Sequence, residues 1–110
     1  MLMHEFKWKQ EVLESNEPVL VDFWAAWCPP CRAMEPAIES LARDFKVAKV
    51  NVDTNQELAV QYVISSIPAL IIFKDGKIVS RHVGVTPESV LRGELDRLRA
   101  ETSSQKQTGH

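Results

Sequence analysis

Apolar and polar positions along the chain change period several times, and each change marks an element. Residues 5–15 set Trp8, Val12 and Leu13 among charges on roughly one helical face, which predicts a helix ending at Asn16-Glu17-Pro18. Val19-Leu20-Val21-Asp22-Phe23-Trp24 is an apolar run of strand formers and predicts a buried strand, with Asp22 out of place inside it. From Pro30 to Phe45 the period changes. Met34, Ile38, Leu41 and Phe45 follow i, i+4, i+7, i+11, one stripe of an amphipathic helix, and Pro36 predicts a kink near its start.

Val47 to Asp53 alternates as a strand, and Asn55 to Tyr62 suits a short helix capped by Thr54 or Asn55. Leu70-Ile71-Ile72-Phe73 predicts a second fully buried strand. Lys74-Asp75-Gly76-Lys77 then reads as a hairpin turn, because Asp-Gly accepts the positive φ of a type I′ turn, and Ile78 to Val83 returns antiparallel. Thr86-Pro87-Glu88 supplies an N-cap, a proline at N1 and an acid at N2, opening a helix that buries Leu91, Leu95 and Leu98. Residues 101–110 hold no apolar anchor and are expected to form a disordered tail, leaving one domain over 1–100. Strand–helix–strand alternation followed by a hairpin implies an α/β fold, a mixed sheet with helices on both faces.

Composition narrows the function classes. A length of 110 residues, 45% hydrophobic and 25% charged, is one ordinary globular domain able to bury its own core. Thirteen basic against fifteen acidic residues leave a net charge of −2, so a phosphate-neutralising surface and nucleic acid as main partner are excluded. No apolar stretch is long enough for a membrane span. Met1-Leu2-Met3-His4-Glu5 shows no basic region or apolar core of an export signal, which makes the cytoplasm the expected compartment.

The candidate chemistry lies in Trp27-Cys28-Pro29-Pro30-Cys31-Arg32, between the first long strand and the long helix. Two intervening residues at such a turn put both sulfurs on the first helical turn, where a disulfide can close and reopen with little backbone movement. Free N–H groups and the helix dipole there lower the pKa of the first cysteine. Its thiolate can attack another disulfide and the second cysteine can expel the product. Cys-x-x-Cys is also half of a zinc site, but His4, His82 and His110 are not paired at ligand spacing and no second Cys-x-x-Cys exists. No metal is expected. An inert pair of buried thiols is the remaining alternative.

The chain resembles the thioredoxin family from about Trp8 to Ala100. Five segments carry the resemblance: Val21 through Cys31, Val47 through Asp53, Ile67-Pro68-Ala69, Lys74 through Lys77, and Val83-Gly84, in order and at family-like separations. The resemblance implies a thioredoxin fold and a thiol–disulfide oxidoreductase that reduces protein disulfides without a bound cofactor. Cys28 would be the exposed nucleophile and Cys31 the buried resolving thiol. Asp22 would be the buried acid that takes the proton of Cys31, against the alternative of a polar strand end reaching solvent. Lys49 would partner that acid, or be a solvated strand lysine.

Ile67-Pro68 aligns with the family's cis-proline turn, whose backbone pairs with an extended substrate segment. Trp27 would offer an apolar ledge beside Cys28; Trp24 fits either the core or the floor of the site. Gly84 would allow close approach of a substrate backbone or mark a bulge. His82 is expected to point to solvent. Pro29 and Pro30 stand where Gly-Pro is the commonest form; Pro29 removes a backbone N–H near Cys28 and stiffens the turn. Ser66 and Ala69 replace a common glycine and threonine on the partner-facing surface.

The family's first edge strand has only Met1-Leu2-Met3 available, so it is expected to be absent or a few residues long. Disulfide-containing proteins are the implied substrates, an NADPH-dependent thioredoxin reductase the implied electron donor, and a monomer the expected state. Two other roles fit the same residues. One is a specialised reductant or oxidant of a single client, and the other a thioredoxin-fold adaptor or holdase in which the cysteines are secondary.

Overall fold

A computed structural model describes residues 1–108, with side chains through Thr102. Five strands form one mixed sheet in the order β1-β3-β2-β4-β5: Leu2–Met3 (β1), Val19–Trp24 (β2), Lys46–Asn51 (β3), Ala69–Lys74 (β4) and Lys77–Val83 (β5). β1 and β2 both run parallel to β3, and β4 is antiparallel to β2 and β5. Leu2 pairs with Val47 and Met3 with Ala48, so the first edge strand exists in its shortest form. The Met1 ammonium anchors it by donating to the carbonyls of Ala42 and Phe45.

β2 and β4 are buried on both faces because each lies between two strands and under helices on either side. One face carries Leu20, Val47, Leu70 and Ile72 beneath helices Glu35–Ala42 (α2) and Glu88–Thr108 (α4). The other carries Val19, Val21, Phe23 and Phe73 beneath the N-terminal segment and helix Gln56–Gln61 (α3). There Trp8 meets Phe73 and Tyr62 at ring separations of 5.4 Å.

Several expectations shift in detail. The N-terminal helix is a single π-helical turn, Lys9–Leu13, with Val12 buried. The long helix is two, Pro29–Ala33 (α1) and α2, meeting at Met34. Pro36 explains the break, since it has no N–H for the carbonyl four residues back and its ring crowds that carbonyl. Asn55 occupies the N-cap position of α3, but its side chain donates to the Asn51 carbonyl and the Thr54 hydroxyl instead of capping. Thr86 likewise donates its hydroxyl to the Gly84 carbonyl.

The two-residue hairpin has positive φ at both Asp75 (53°) and Gly76 (78°), as a type I′ turn requires. α4 continues through Thr108, into the stretch where composition predicts a tail; among the described side chains Leu98 is its last hydrophobic one packed against the core. Gly109 and His110 lie outside the described residues. Among the described residues no helix is long and apolar enough to cross a membrane.

Candidate active site

The site forms where β2 ends and α1 begins. Cys28 is the N-cap of α1, with extended backbone, and its sulfur accepts the Cys31 N–H at 3.2 Å. Pro29 and Pro30 have no N–H, so Cys31 supplies the only first-turn donor seen on that sulfur. Cys28 and Cys31 form a disulfide with their Cα atoms 5.3 Å apart, inside the range that closes without backbone movement.

The expected contrast between an exposed Cys28 and a buried Cys31 is absent in this state. Cys28 is 3% and Cys31 2% exposed, because Trp24, Ala25, Val52 and Ile67 pack around the pair. What differs is their surroundings: Cys28 Sγ lies 3.8 Å from the Ile67 carbonyl oxygen.

Ile67–Pro68 is a cis peptide bond, immediately before β4. The Pro68 carbonyl accepts the Gly84 N–H at 2.8 Å, tying the end of β5 to this loop. Gly84 has φ +92°, a conformation that favours glycine, and a Cβ there would meet nothing within 4 Å. It is not a bulge; the sheet's register shift lies at Ile72/Phe73. Trp27 is 64% exposed beside Cys28, and its indole Nε1–H donates to Asp53 at 2.9 Å.

Asp22 is buried, on the sheet face covered by α2, opposite Lys49 on one side and Leu70 on the other. Its Oδ1 has no hydrogen-bond partner among protein groups. Burial pushes its pKa from 3.8 up to about 7, the positive charge of Lys49 opposes the rise, and the negative charge of Glu35 adds to it. The strand-end alternative is thus overturned, since Asp22 does not reach solvent. Lys49 sits with its Nζ 4.2 Å from the centre of the Trp24 ring. Among the described residues no ion pair joins it to Asp22, so its effect there is through space.

The expectation of a solvent-facing His82 is corrected. Its Nε2 lies 2.9 Å from a Glu94 carboxylate oxygen, and the Ser80 hydroxyl donates to the other oxygen at 2.6 Å. The residues that the sequence missed are those whose neighbours come from distant elements: Asp53, Glu94 and Glu35. Among the described residues no three His, Cys, Asp or Glu side chains gather as a metal site.

A disulfide at the first turn of a helix, beside the Ile67-Pro68 loop and with a buried carboxyl on the strand that leads into it, defines a protein built for thiol–disulfide exchange. Comparison with known proteins agrees. The thioredoxin family profile matches residues 1–97. Thioredoxin 1 of Synechococcus elongatus is 53% identical over 93 residues, covering 81% of this chain and 87% of that protein. Thioredoxin of Mycobacterium tuberculosis is 51% identical over 89 residues, 77% of each chain. A solved mutant thioredoxin from Halobacterium salinarum superposes with a TM-score of 0.80 at 35% identity, over 89% of this chain and 90% of its own. This chain belongs to the thioredoxin family, and it is a thiol–disulfide oxidoreductase with a Trp-Cys-Pro-Pro-Cys active-site sequence.

Proposed function

We propose that this oxidoreductase works as a general reductant of protein disulfides, with Cys28 as nucleophile and Cys31 as resolving thiol. The Cys28 thiolate attacks one sulfur of a client disulfide; a Cys28–client bond forms and the other client sulfur leaves as thiolate. Cys31 then gives its proton to Asp22, directly or through water, and its thiolate attacks Cys28 Sγ. The Cys28–Cys31 bond forms, the mixed disulfide breaks, and the second client thiolate departs. Two electrons have passed to the client, and solvent protons complete its two thiols. The observation that carries this reading is the buried Asp22 with its orphaned oxygen and a pKa near 7, where a proton acceptor works best at neutral pH.

Trp27, Pro29, Pro30, Ile67, Pro68 and Gly84 would receive the client. An extended segment would pair with the Ile67 backbone, and Gly84 leaves room for it. Lys49 keeps a positive charge near Asp22 and favours its ionised form once Cys31 needs a base. The dithiol itself carries the electrons, so no bound cofactor is required. An NADPH-dependent thioredoxin reductase is the fitting donor, a reducing cytoplasm the fitting compartment, and a monomer the fitting state.

The test is the Cys28–Cys31 reduction potential, by equilibration against a glutathione buffer. A value near about −270 mV supports general reduction, and one above about −200 mV refutes it in favour of an oxidant or single-client role. In parallel, Cys28→Ser should abolish reduction and Cys31→Ser should trap a Cys28–client disulfide. Client binding that survives the double serine variant with full biological effect would instead establish an adaptor.

A further inference from the structure

Glu35 is the one acid near the site whose charge acts on Asp22. The neighbouring acids are otherwise engaged: Asp53 by the Trp27 indole, Glu94 by Ser80 and His82, Glu88 by Ser40 and Arg92. Glu35 is half-buried at the start of α2 and, among the described residues, has neither an ion pair nor a side-chain hydrogen bond. Its charge is therefore left unneutralised. Its position is set by the helix break. Met34 keeps right-handed helical dihedrals (φ −82°, ψ −13°), so the helical path carries on and Glu35 falls four residues past Cys31, on the same side one turn along. α2 covers the sheet face from which Asp22 projects.

We propose that Glu35 is a positioning residue for proton transfer in the exchange reaction: acting through Asp22, its negative charge makes that carboxylate a stronger base toward the Cys31 thiol. This rests on the reading above that Asp22 takes the proton of Cys31. The groups around Asp22 then divide into two sets. Lys49 on β3 favours release of the proton and Glu35 on α2 favours its retention. β4 presents only Leu70 to Asp22. One strand further, His82 is engaged with Glu94 of α4, and Arg32 of α1 turns away to the Ala26 carbonyl. Burial raises Asp22 most, Lys49 lowers it and Glu35 adds to the rise, so the proton of Cys31 can be received near neutral pH.

The experiment compares wild type, Glu35→Gln, Glu35→Asp and Asp22→Asn. The Asp22 carboxyl is titrated by carbon NMR in the disulfide form, where neither cysteine titrates. Resolution of a mixed disulfide between Cys28 and a small aromatic thiol is then followed from pH 5 to 9 by release of the aromatic thiolate. Glu35→Gln should weaken proton binding at Asp22 between about two- and tenfold, the size of a through-space interaction between partly solvated charges. Glu35→Asp should retain most of the wild-type value. The acid limb of the resolution profile should move to lower pH by the same amount as the NMR midpoint.

An unchanged Asp22 midpoint in Glu35→Gln, with a resolution profile that Asp22→Asn still alters, overturns the role of Glu35 alone. A resolution profile that Asp22→Asn leaves unaltered overturns the reading of Asp22, and the role of Glu35 in catalysis falls with it.

Discussion

Replacing Asp22 with asparagine should make the protein more stable above neutral pH, and the gain over wild type should shrink and vanish as pH falls toward about 4. The carboxyl titrates at 3.8 in an unfolded chain and at about 7 in the folded protein, chiefly because burial disfavours its anion. Below about pH 4 it holds its proton in both states and burial of the anion costs nothing. Between about pH 4 and 7 the unfolded chain releases the proton while the folded protein keeps it, so each rise in pH favours unfolding. Above about 7 the folded protein must bury the anion, and a rise of roughly three units corresponds to about 4 kcal/mol. The neutral amide that takes the carboxyl's place in the variant escapes that cost.

The buried oxygen without a partner makes the amide imperfect as well, at about 1–3 kcal/mol. That penalty is nearly independent of pH. The diagnostic quantity is therefore the change in the difference between variant and wild type, not its value at one pH. Urea unfolding of the disulfide forms at pH 5 and pH 8.5 measures it. About 1.7 kcal/mol of the cost is already present at pH 5, so with a urea slope of about 2 kcal/mol per molar the gap between the two midpoints should widen by about 1.3 M over that range. A gap that stays constant would show that Asp22 is solvated or paired in the folded state, and the assignment of a buried, proton-holding carboxyl would be wrong.

Other perturbations test local geometry. Val63 is a β-branched residue at φ +55° and is 75% exposed, so Val63→Gly should relieve backbone strain at little packing cost and stabilise by about 1 kcal/mol in thermal unfolding; a lower melting temperature would contradict that. Gly76→Ala should destabilise more than Gly84→Ala, because both have positive φ but only at Gly76 would a Cβ press on backbone, 2.9 Å from the Leu13 carbonyl oxygen. Equal losses in denaturant midpoints would count against the clash. Burial raises the pKa of Glu94, but the Ser80 hydroxyl and the His82 ring outweigh it and leave the carboxyl below its usual 4.5. Glu94→Gln should accordingly destabilise at neutral pH, and the loss should fade as pH falls through the carboxylate range; a loss that persists at pH 3 would point to packing alone.

Much of the site was legible in the chain because it is local. Cys28 and Cys31 are three residues apart at a change of hydrophobic period, and the Asp75-Gly76 turn depends only on its own backbone. Asp22 stood out as a charge in an apolar run, so its burial followed from the strand around it. The break at Met34 was foreshadowed by Pro36, since the missing N–H is a property of one residue. The caps expected at Thr54 or Asn55 and at Thr86 were not, because these side chains have competing backbone partners nearby and propensity does not rank them.

The electrostatic setting of the site needed the tertiary structure. Asp22 and Lys49 come opposite each other only through the register of β2 on β3, yet Lys49 lies over Trp24 rather than on Asp22. His82 meets Glu94 only because α4 returns across β5, and Glu35 acts on Asp22 only because the broken helix resumes over that face of the sheet. Hydrophobic period, turn residues and cysteine spacing are short-range, and the sequence determines them directly. Distances between charges far apart in the chain are set by strand register and helix packing, which depend on the whole core at once.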